Sequence, residues 1–329
     1  MVEEVIGLEQ VNAGTKKYRP RLELFSATVK SFVSNKAAVV GAVITFIYFA
    51  IAIIDTVAPS VFGIPSGEYT DLGYYSKHIS PVETFGIFSP GTSHGFKYLL
   101  GGTIFNYPLL PAMFASLKFD LGYSVLIVGV GALVGSAIGV TAGYLGRWAD
   151  EFMMRVTDVF FSVPFLILAI AFSTIFGHDM LSAVYALLII WWPIYARLSR
   201  SLALSTKSLN YVEAATAAGS SKVRNIFYHV FPNVLSPIFV QISLDLGSII
   251  LIFATLSFLG ITNLPYSFPE LGALISDGDN FVTSFIPLPG FHLIWWPLII
   301  PGFFLLIFTV SINLFGDGMR DALDPKLRK

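Results

Sequence analysis

The sequence contains no cysteine, which removes disulfides, thiolate metal sites and cysteine nucleophiles from consideration. Charge is scarce as well: Asp, Glu, Lys and Arg make up 12% of the chain against 55% hydrophobic residues, and mean hydropathy is +0.73. A soluble chain of 329 residues with that balance would have too little polar surface to cover itself, so the composition reads as an integral membrane protein. No Gly-Lys pair occurs, which excludes a phosphate loop of the form G-x-x-x-x-G-K-[ST] and ATP hydrolysis by that route. The H-E-x-x-H signature of a metalloprotease is missing too. His78, His94, His178, His229 and His292 are dispersed without ligand spacing, so no metal site is expected. A net charge of −1 carries no sign of a nucleic-acid partner. The opening Met-Val-Glu-Glu is acidic and leads into a polar segment, unlike the cationic-then-apolar order of a cleavable secretion signal.

What the chain does have is a series of long uncharged stretches. A spanning helix needs about 20 mostly apolar residues. Six windows qualify: Lys36 to Asp55, Asp120 to Arg147, Asp158 to His178, Asp179 to Arg197, about Val234 to Gly260 interrupted by Asp245, and about Ile294 to Gly316. The expected fold is therefore an all-α membrane protein with six transmembrane helices. Of the 20 basic residues, only Lys77, Lys97 and Lys118 fall on one side of these spans, which places both termini and the segment 205–233 in the cytoplasm. The expected organisation is a cytoplasmic arm over 1–36, a first span over 37–58, an extracytoplasmic loop over 59–119, a core of five spans over 120–318 and a tail over 319–329. Residues 59–119 are either a lid over the bundle or a platform for a substrate-delivering protein. The outer loop 261–293 carries Glu270, Asp277 and Asp279 and is expected to hold a short re-entrant or surface helix. In the arm, Phe25, Val29, Phe32 and Val33 form a stripe flanked by Arg21, Lys30 and Lys36, the pattern of an elbow helix lying on membrane lipid.

Between the fourth and fifth windows lies a polar, helix-forming island, Tyr211-Val-Glu-Ala-Ala-Thr-Ala-Ala-Gly219 and on to Asn233. Val223, Ile226, Phe227 and Val230 recur at helical spacing, with Lys222, Arg224 and Asn225 assigned to the opposite, solvent face. That apolar run is too short to cross a bilayer and reads as an amphipathic helix positioned to press on something else. Elsewhere, Gly131, Gly135, Gly139 and Gly143 recur every four residues; the stripe serves either close helix packing or a sliding contact during gating. Asp245 is the one acid read as lying well inside a span, either lining a translocation path or hydrogen-bonded to a neighbouring helix. Trp191 and Trp192 are open to the same two readings, pore lining or packing. Asp55 and Asp158 are placed near helix ends where water reaches them, with Arg155 as the partner of Asp158 one turn away.

Glu213-Ala214-Ala215, then Gly219, then Pro232 resembles the Glu-Ala-Ala loop of ATP-binding-cassette importer permeases. Further strings resemble the dipeptide and oligopeptide branch, most closely its second permease: Ala142-Gly-Tyr-Leu-Gly146, Met154-Arg-Val-Thr-Asp158, Trp192-Pro-Ile-Tyr-Ala-Arg-Leu198, Leu256-Ser-Phe-Leu-Gly260 and Asn313 through Pro325. The resemblance implies a type I importer permease fold. Its hairpin would dock into an ATPase cleft through Glu213, Ala214, Ala215, Gly219, Val223, Ile226, Phe227 and Pro232. It further implies a second homologous permease, two ATPase subunits that hold the ATP and Mg, and an external substrate-binding protein. This chain would itself be neither an enzyme nor a cofactor carrier. Cargo in the family is peptide, nickel complex or oligosaccharide. The chain departs from the pattern at Gly102-Thr103, which is followed by Ile-Phe-Asn rather than by acids, and at Phe253 where a Glu is expected. The competing class is an ion-coupled secondary transporter using Asp245 as its proton or sodium site.

Overall fold

The computed structural model describes residues 21–58, 61, 99–103, 108–264, 269–283 and 295–323. The loop 62–98, with Lys77, Lys97, His78 and His94, lies outside the described residues, as do His292 and the tail beyond Leu323. The described chain is almost entirely helical. In order it runs α1 (Arg21–Ser34), α2 (Lys36–Val57), α3 (Leu109–Leu145), α4 (Arg147–Phe161), α5 (Phe165–Phe176), α6 (Met180–Lys207), α7 (Asn210–Ala217), α8 (Lys222–Asn225), a π turn (Ile226–Val230), α9 (Phe231–Phe258), α10 (Leu271–Thr283) and α11 (Trp296–Leu323). Five helical stretches are long and apolar enough to cross a membrane, and the bent pair α4–α5 makes a sixth.

The third crossing is not the straight helix that the window Asp158–His178 predicts. It breaks at Ser162-Val163-Pro164, and α4 and α5 meet at 89°. Pro164 has no N–H to donate and pushes the residue before it out of the helical region. The following α5 has 12 residues, about 18 Å at the usual helical rise, which is short of a full bilayer core. The next turn is tight: Gly177 adopts φ +129°, and the Asp179 carboxylate caps α6 by accepting the Ser182 N–H at 2.7 Å. The Ser182 hydrogen bonds hold the Asp179 carboxyl below its ordinary range.

The second crossing begins earlier than expected. Helix α3 starts at Leu109 and carries Lys118 and Asp120 inside it, so neither residue marks its end. Both charges are accommodated by partners far away in sequence. Lys118 Nζ lies 3.2 Å from the carboxylate of Asp55, which is buried rather than washed by water at a helix end. Asp120 accepts the backbone N–H of Leu271 at 3.3 Å, at the start of α10. Asp245 is therefore not the one acid inside the bundle: the Lys118 ammonium meets Asp55 there, and a backbone N–H meets Asp120. The Lys118 end of α3 also borders a groove of about 330 Å³ between α2 and α3, lined by Phe49, Ile53, Val57, Leu121 and Val125.

Two apolar clusters fill the interior. One joins α3, α5, α6 and α9 around Ile127, Leu187, Tyr195 and Phe253; the other joins α2, α3, α9, α10 and α11 around Met113, Ile250, Leu274 and Phe308. The glycine stripe of α3 lies directly against α6. A Cβ on Gly135 would sit 2.7 Å from Tyr195 Cβ, and one on Gly143 would sit 2.7 Å from the Arg200 carbonyl oxygen; Gly131 faces Trp191 and Gly139 faces Ala196. Small residues allow this close backbone approach, which supplies dispersion contacts where the hydrophobic effect cannot.

The outer-loop helix α10 is tucked into the bundle, and its first turn is buried. Glu270 caps it, accepting the Gly272 N–H at 3.0 Å on Oε1 and the Ala273 N–H at 2.7 Å on Oε2. Replacing Glu270 with leucine would strand both donors in the interior, at about 1–3 kcal/mol for each unsatisfied group. Glu270→Gln keeps one acceptor and should lose less. Thermal unfolding in detergent should therefore rank wild type above Glu270→Gln above Glu270→Leu; equal melting of the two variants would contradict the capping role.

Candidate functional site

The segment 205–233 folds as an exposed hairpin at the end of α6. Its first limb, α7, stops in a Schellman turn: the Ser220 N–H donates to Ala215 O at 3.0 Å and the Gly219 N–H donates to Thr216 O at 3.0 Å. Gly219 adopts φ +85°, the left-handed region in which an L side chain is strained. Two residues later the Ser221 hydroxyl caps the second limb by accepting the Arg224 N–H at 3.3 Å. The base of the hairpin is closed by Asn233, whose side chain donates to the Tyr211 hydroxyl at 2.9 Å and to His229 O at 2.7 Å. The second limb does not end there. It continues through the π turn into α9, so Lys222–Phe258 is one helical stretch that leads from the hairpin into the membrane.

The apolar stripe read from spacing is divided in the structure. Val223 and Phe227 are exposed, Ile226 is partly covered and Val230 is fully buried. Asn225, assigned to the solvent face, is also fully buried. The spacing argument assumes an unbroken α-helix, and the π turn at Ile226–Val230 changes which residues share a face. Glu213, Ala214, Gly219 and Pro232 are exposed and Ala215 is partly covered. The outward surface thus combines one carboxylate, Glu213 in the first turn of α7, with the apolar Val223, Phe227 and Tyr228.

Asp245 and Trp191 come together inside the bundle. The Trp191 indole N–H donates to one carboxylate oxygen of Asp245 at 3.2 Å, and the Gln241 amide donates to the other at 2.7 Å. Asp245 is 5% exposed and Trp191 3%. Trp191 also meets Phe165 edge-on at 4.9 Å, and Trp192 meets Phe160 edge-on at 5.5 Å. These residues bridge α6 to α9 and α6 to α4–α5 in this arrangement.

A second polar group escaped sequence reasoning. Arg200 forms a bidentate pair with Asp150 at 2.5 and 2.7 Å, tying α6 to the start of α4. Arg197, not Arg155, pairs with Asp158 at 2.9 Å and covers the Phe161 ring, while Arg155 turns to Glu151. Asp150, Glu151, Arg155, Asp158 and Arg200 line a mixed-charge cleft of about 420 Å³. Helical spacing could find Arg155–Glu151 but not pairs that cross between helices. One Gly-x-Ser-x-Gly string, Gly91-Thr92-Ser93-His94-Gly95, lies outside the described residues; such a string marks a nucleophile only at a strand-to-helix turn.

Long apolar helices, glycine-mediated packing and a polar hairpin continuous with a membrane-crossing helix define a multi-pass membrane protein. A family profile, "Binding-protein-dependent transport system inner membrane component", matches residues 135–329, more than half of the chain. The chain belongs to that family and is a permease subunit of the ATP-binding-cassette type, which favours that reading over an ion-coupled carrier. It is 32% identical over 299 residues to the dipeptide transport system permease protein DppC of Alkalihalophilus pseudofirmus, covering 91% of this chain and 89% of that one. It is 39% identical over 202 residues to the probable D,D-dipeptide transport system permease protein DdpC of Escherichia coli, covering 61% of this chain and 64% of that one. Among solved structures, an amino acid ABC transporter with histidines aligns at a TM-score of 0.46 and 17% identity, covering 63% of this chain and 92% of that one.

Proposed function

We propose that this chain is one of two related permeases forming the route for small peptides through the cytoplasmic membrane, driven by two ATPase subunits that hold ATP and Mg. Both termini and the 205–233 hairpin face the cytoplasm, and an external binding protein delivers the cargo. The observation that carries the reading is the hairpin itself: an exposed carboxylate on its first limb and exposed apolar residues on its second, the limb that runs on into α9. That surface suits a partner groove which accepts a helix and one anchoring charge. Nucleotide-driven closure of the ATPases would move the hairpin and, through it, the helices around the pathway. Trp191 and Asp245 join α6 to α9, so pathway opening would carry these two helices together or break their hydrogen bonds. Small peptides are the cargo favoured by the relatives' names.

The test uses proteoliposomes containing this chain, its partner permease and both ATPases, with a labelled dipeptide presented by the binding protein. Glu213→Lys should abolish ATP-driven uptake while membrane insertion stays at the wild-type level. Uptake unchanged by Glu213→Lys would contradict the coupling role. Transport of a nickel complex or an oligosaccharide but no dipeptide would overturn the cargo assignment alone.

A further inference from the structure

Asn225 is the most deeply buried polar residue of the hairpin, and its surroundings tie three elements together. Its side-chain amide donates to the Tyr144 hydroxyl at 2.9 Å and to Thr216 Oγ1 at 2.9 Å. The orientation of the amide is fixed by the chemistry of its neighbours. The Thr216 hydroxyl spends its own proton on Val212 O at 2.9 Å, so it can only accept from Asn225, and the nitrogen must face it. Tyr144 sits in the last turn of α3, and its backbone carbonyl accepts the Lys207 ammonium from the last turn of α6 at 2.7 Å. One buried amide thus joins both limbs of the hairpin to the end of α3, where the end of α6 is also held.

Asn225 Oδ1 has no hydrogen-bond partner among the described residues, and the residue is fully buried. Removing this amide would leave the Tyr144 hydroxyl and Thr216 Oγ1 without the donor that they accept from. Immediately after Asn225 the backbone passes into the π turn, an irregular stretch between the hairpin and α9. The covalent route from hairpin to α9 therefore contains a joint, whereas the hydrogen-bonded route to α3 is short and direct.

We infer that Asn225 is a positioning residue that locks the hairpin to the cytoplasmic ends of α3 and α6, so that hairpin motion is delivered to that glycine-packed pair as well as along α9. This inference rests on the coupling role proposed above for the hairpin. It adds a mechanical consequence: the hairpin and the end of α3 move as one body during the nucleotide cycle. Asn225→Leu removes both hydrogen bonds while filling the space, and Tyr144→Phe removes one of them with almost no change in shape. Either substitution should let the hairpin shift relative to α3 when nucleotide binds.

Because the chain has no cysteine, a pair of introduced cysteines can be spin-labelled cleanly. Lys222→Cys on the hairpin and Leu145→Cys at the end of α3 are both exposed positions. The dipolar distance is measured in the assembled transporter, without nucleotide and with ATP plus vanadate. In the otherwise unaltered chain the distance should be the same in both states. In Asn225→Leu and in Tyr144→Phe it should shift with nucleotide, and the double variant should shift no further than Asn225→Leu alone, because the two residues act through one contact. A distance that moves with nucleotide in the unaltered chain, or that stays fixed in both variants, overturns the inference. Uptake unchanged by Glu213→Lys would instead overturn the coupling role itself.

Discussion

Replacing Gly139 with leucine should remove the folded permease from the membrane, and even Gly139→Ala should lower its melting temperature clearly. A Cβ at this position would overlap the Ala196 carbonyl and sit 2.9 Å from the Arg200 backbone nitrogen. Both obstacles are main-chain atoms of α6, which cannot rotate aside as a side chain can. The only relief is to push α6 away from α3. That movement would also open the contacts at Gly135 and Gly143 and strain the Arg200–Asp150 pair. Overpacking usually costs about 1–3 kcal/mol, and leucine against backbone belongs at or above the top of that range. A loss of that size is a large share of the roughly 5–15 kcal/mol that holds a folded protein together. Gly122, on the same helix, is the control, since a Cβ there meets nothing within 4 Å. Gly122→Ala should be neutral or gain about 0.5–1 kcal/mol from helix propensity. Size-exclusion profiles and thermal unfolding in detergent would read the series, and equal stability of Gly139→Ala and Gly122→Ala would refute close packing of α3 on α6.

Gly219→Pro should abolish ATP-driven uptake while the bundle folds and inserts normally. No neighbour restricts Gly219, because a Cβ there would meet open space, so any effect must come from the backbone. Proline fixes φ near −65° and cannot adopt the observed +85°. It also lacks the N–H that donates to Thr216 O. The Schellman stop would fail, and the limb that carries Glu213 would no longer be held in its present relation to the limb that carries Val223 and Phe227. Gly219→Ala keeps the N–H but pays about 1–2 kcal/mol for the left-handed conformation, and asparagine visits that region most easily among side-chain-bearing residues. Uptake should therefore fall in the order glycine, asparagine, alanine, proline, with unchanged melting of the membrane-embedded bundle. Full activity in Gly219→Pro would show that the turn geometry does not matter for transport.

These two glycines illustrate how differently parts of the molecule can be read from the sequence. Gly219 belongs to a turn whose hydrogen bonds all lie within six residues, so its role follows from local chemistry. Gly139 belongs to a four-residue repeat that announces a smooth helix face, but not what lies against it. The division of the hairpin stripe was hidden for another reason: a π turn adds a residue that leaves no compositional mark. The break at Pro164 was visible as a proline, yet its 89° angle depends on how α5 packs against α6.

Windows of apolar residues were enough by themselves to establish a helical membrane protein, because hydropathy and helical period act over short stretches of chain, and the Glu-Ala-Ala string carried the resemblance to importer permeases. Which polar groups sit inside was decided only in three dimensions. Asp55 is buried because Lys118 reaches it, Asp120 because α10 begins beside it, and Asn225 because the Tyr144 hydroxyl is there to receive its amide. A polar side chain enters the interior only when a partner meets it, and these partners come from distant segments that chain folding brings together.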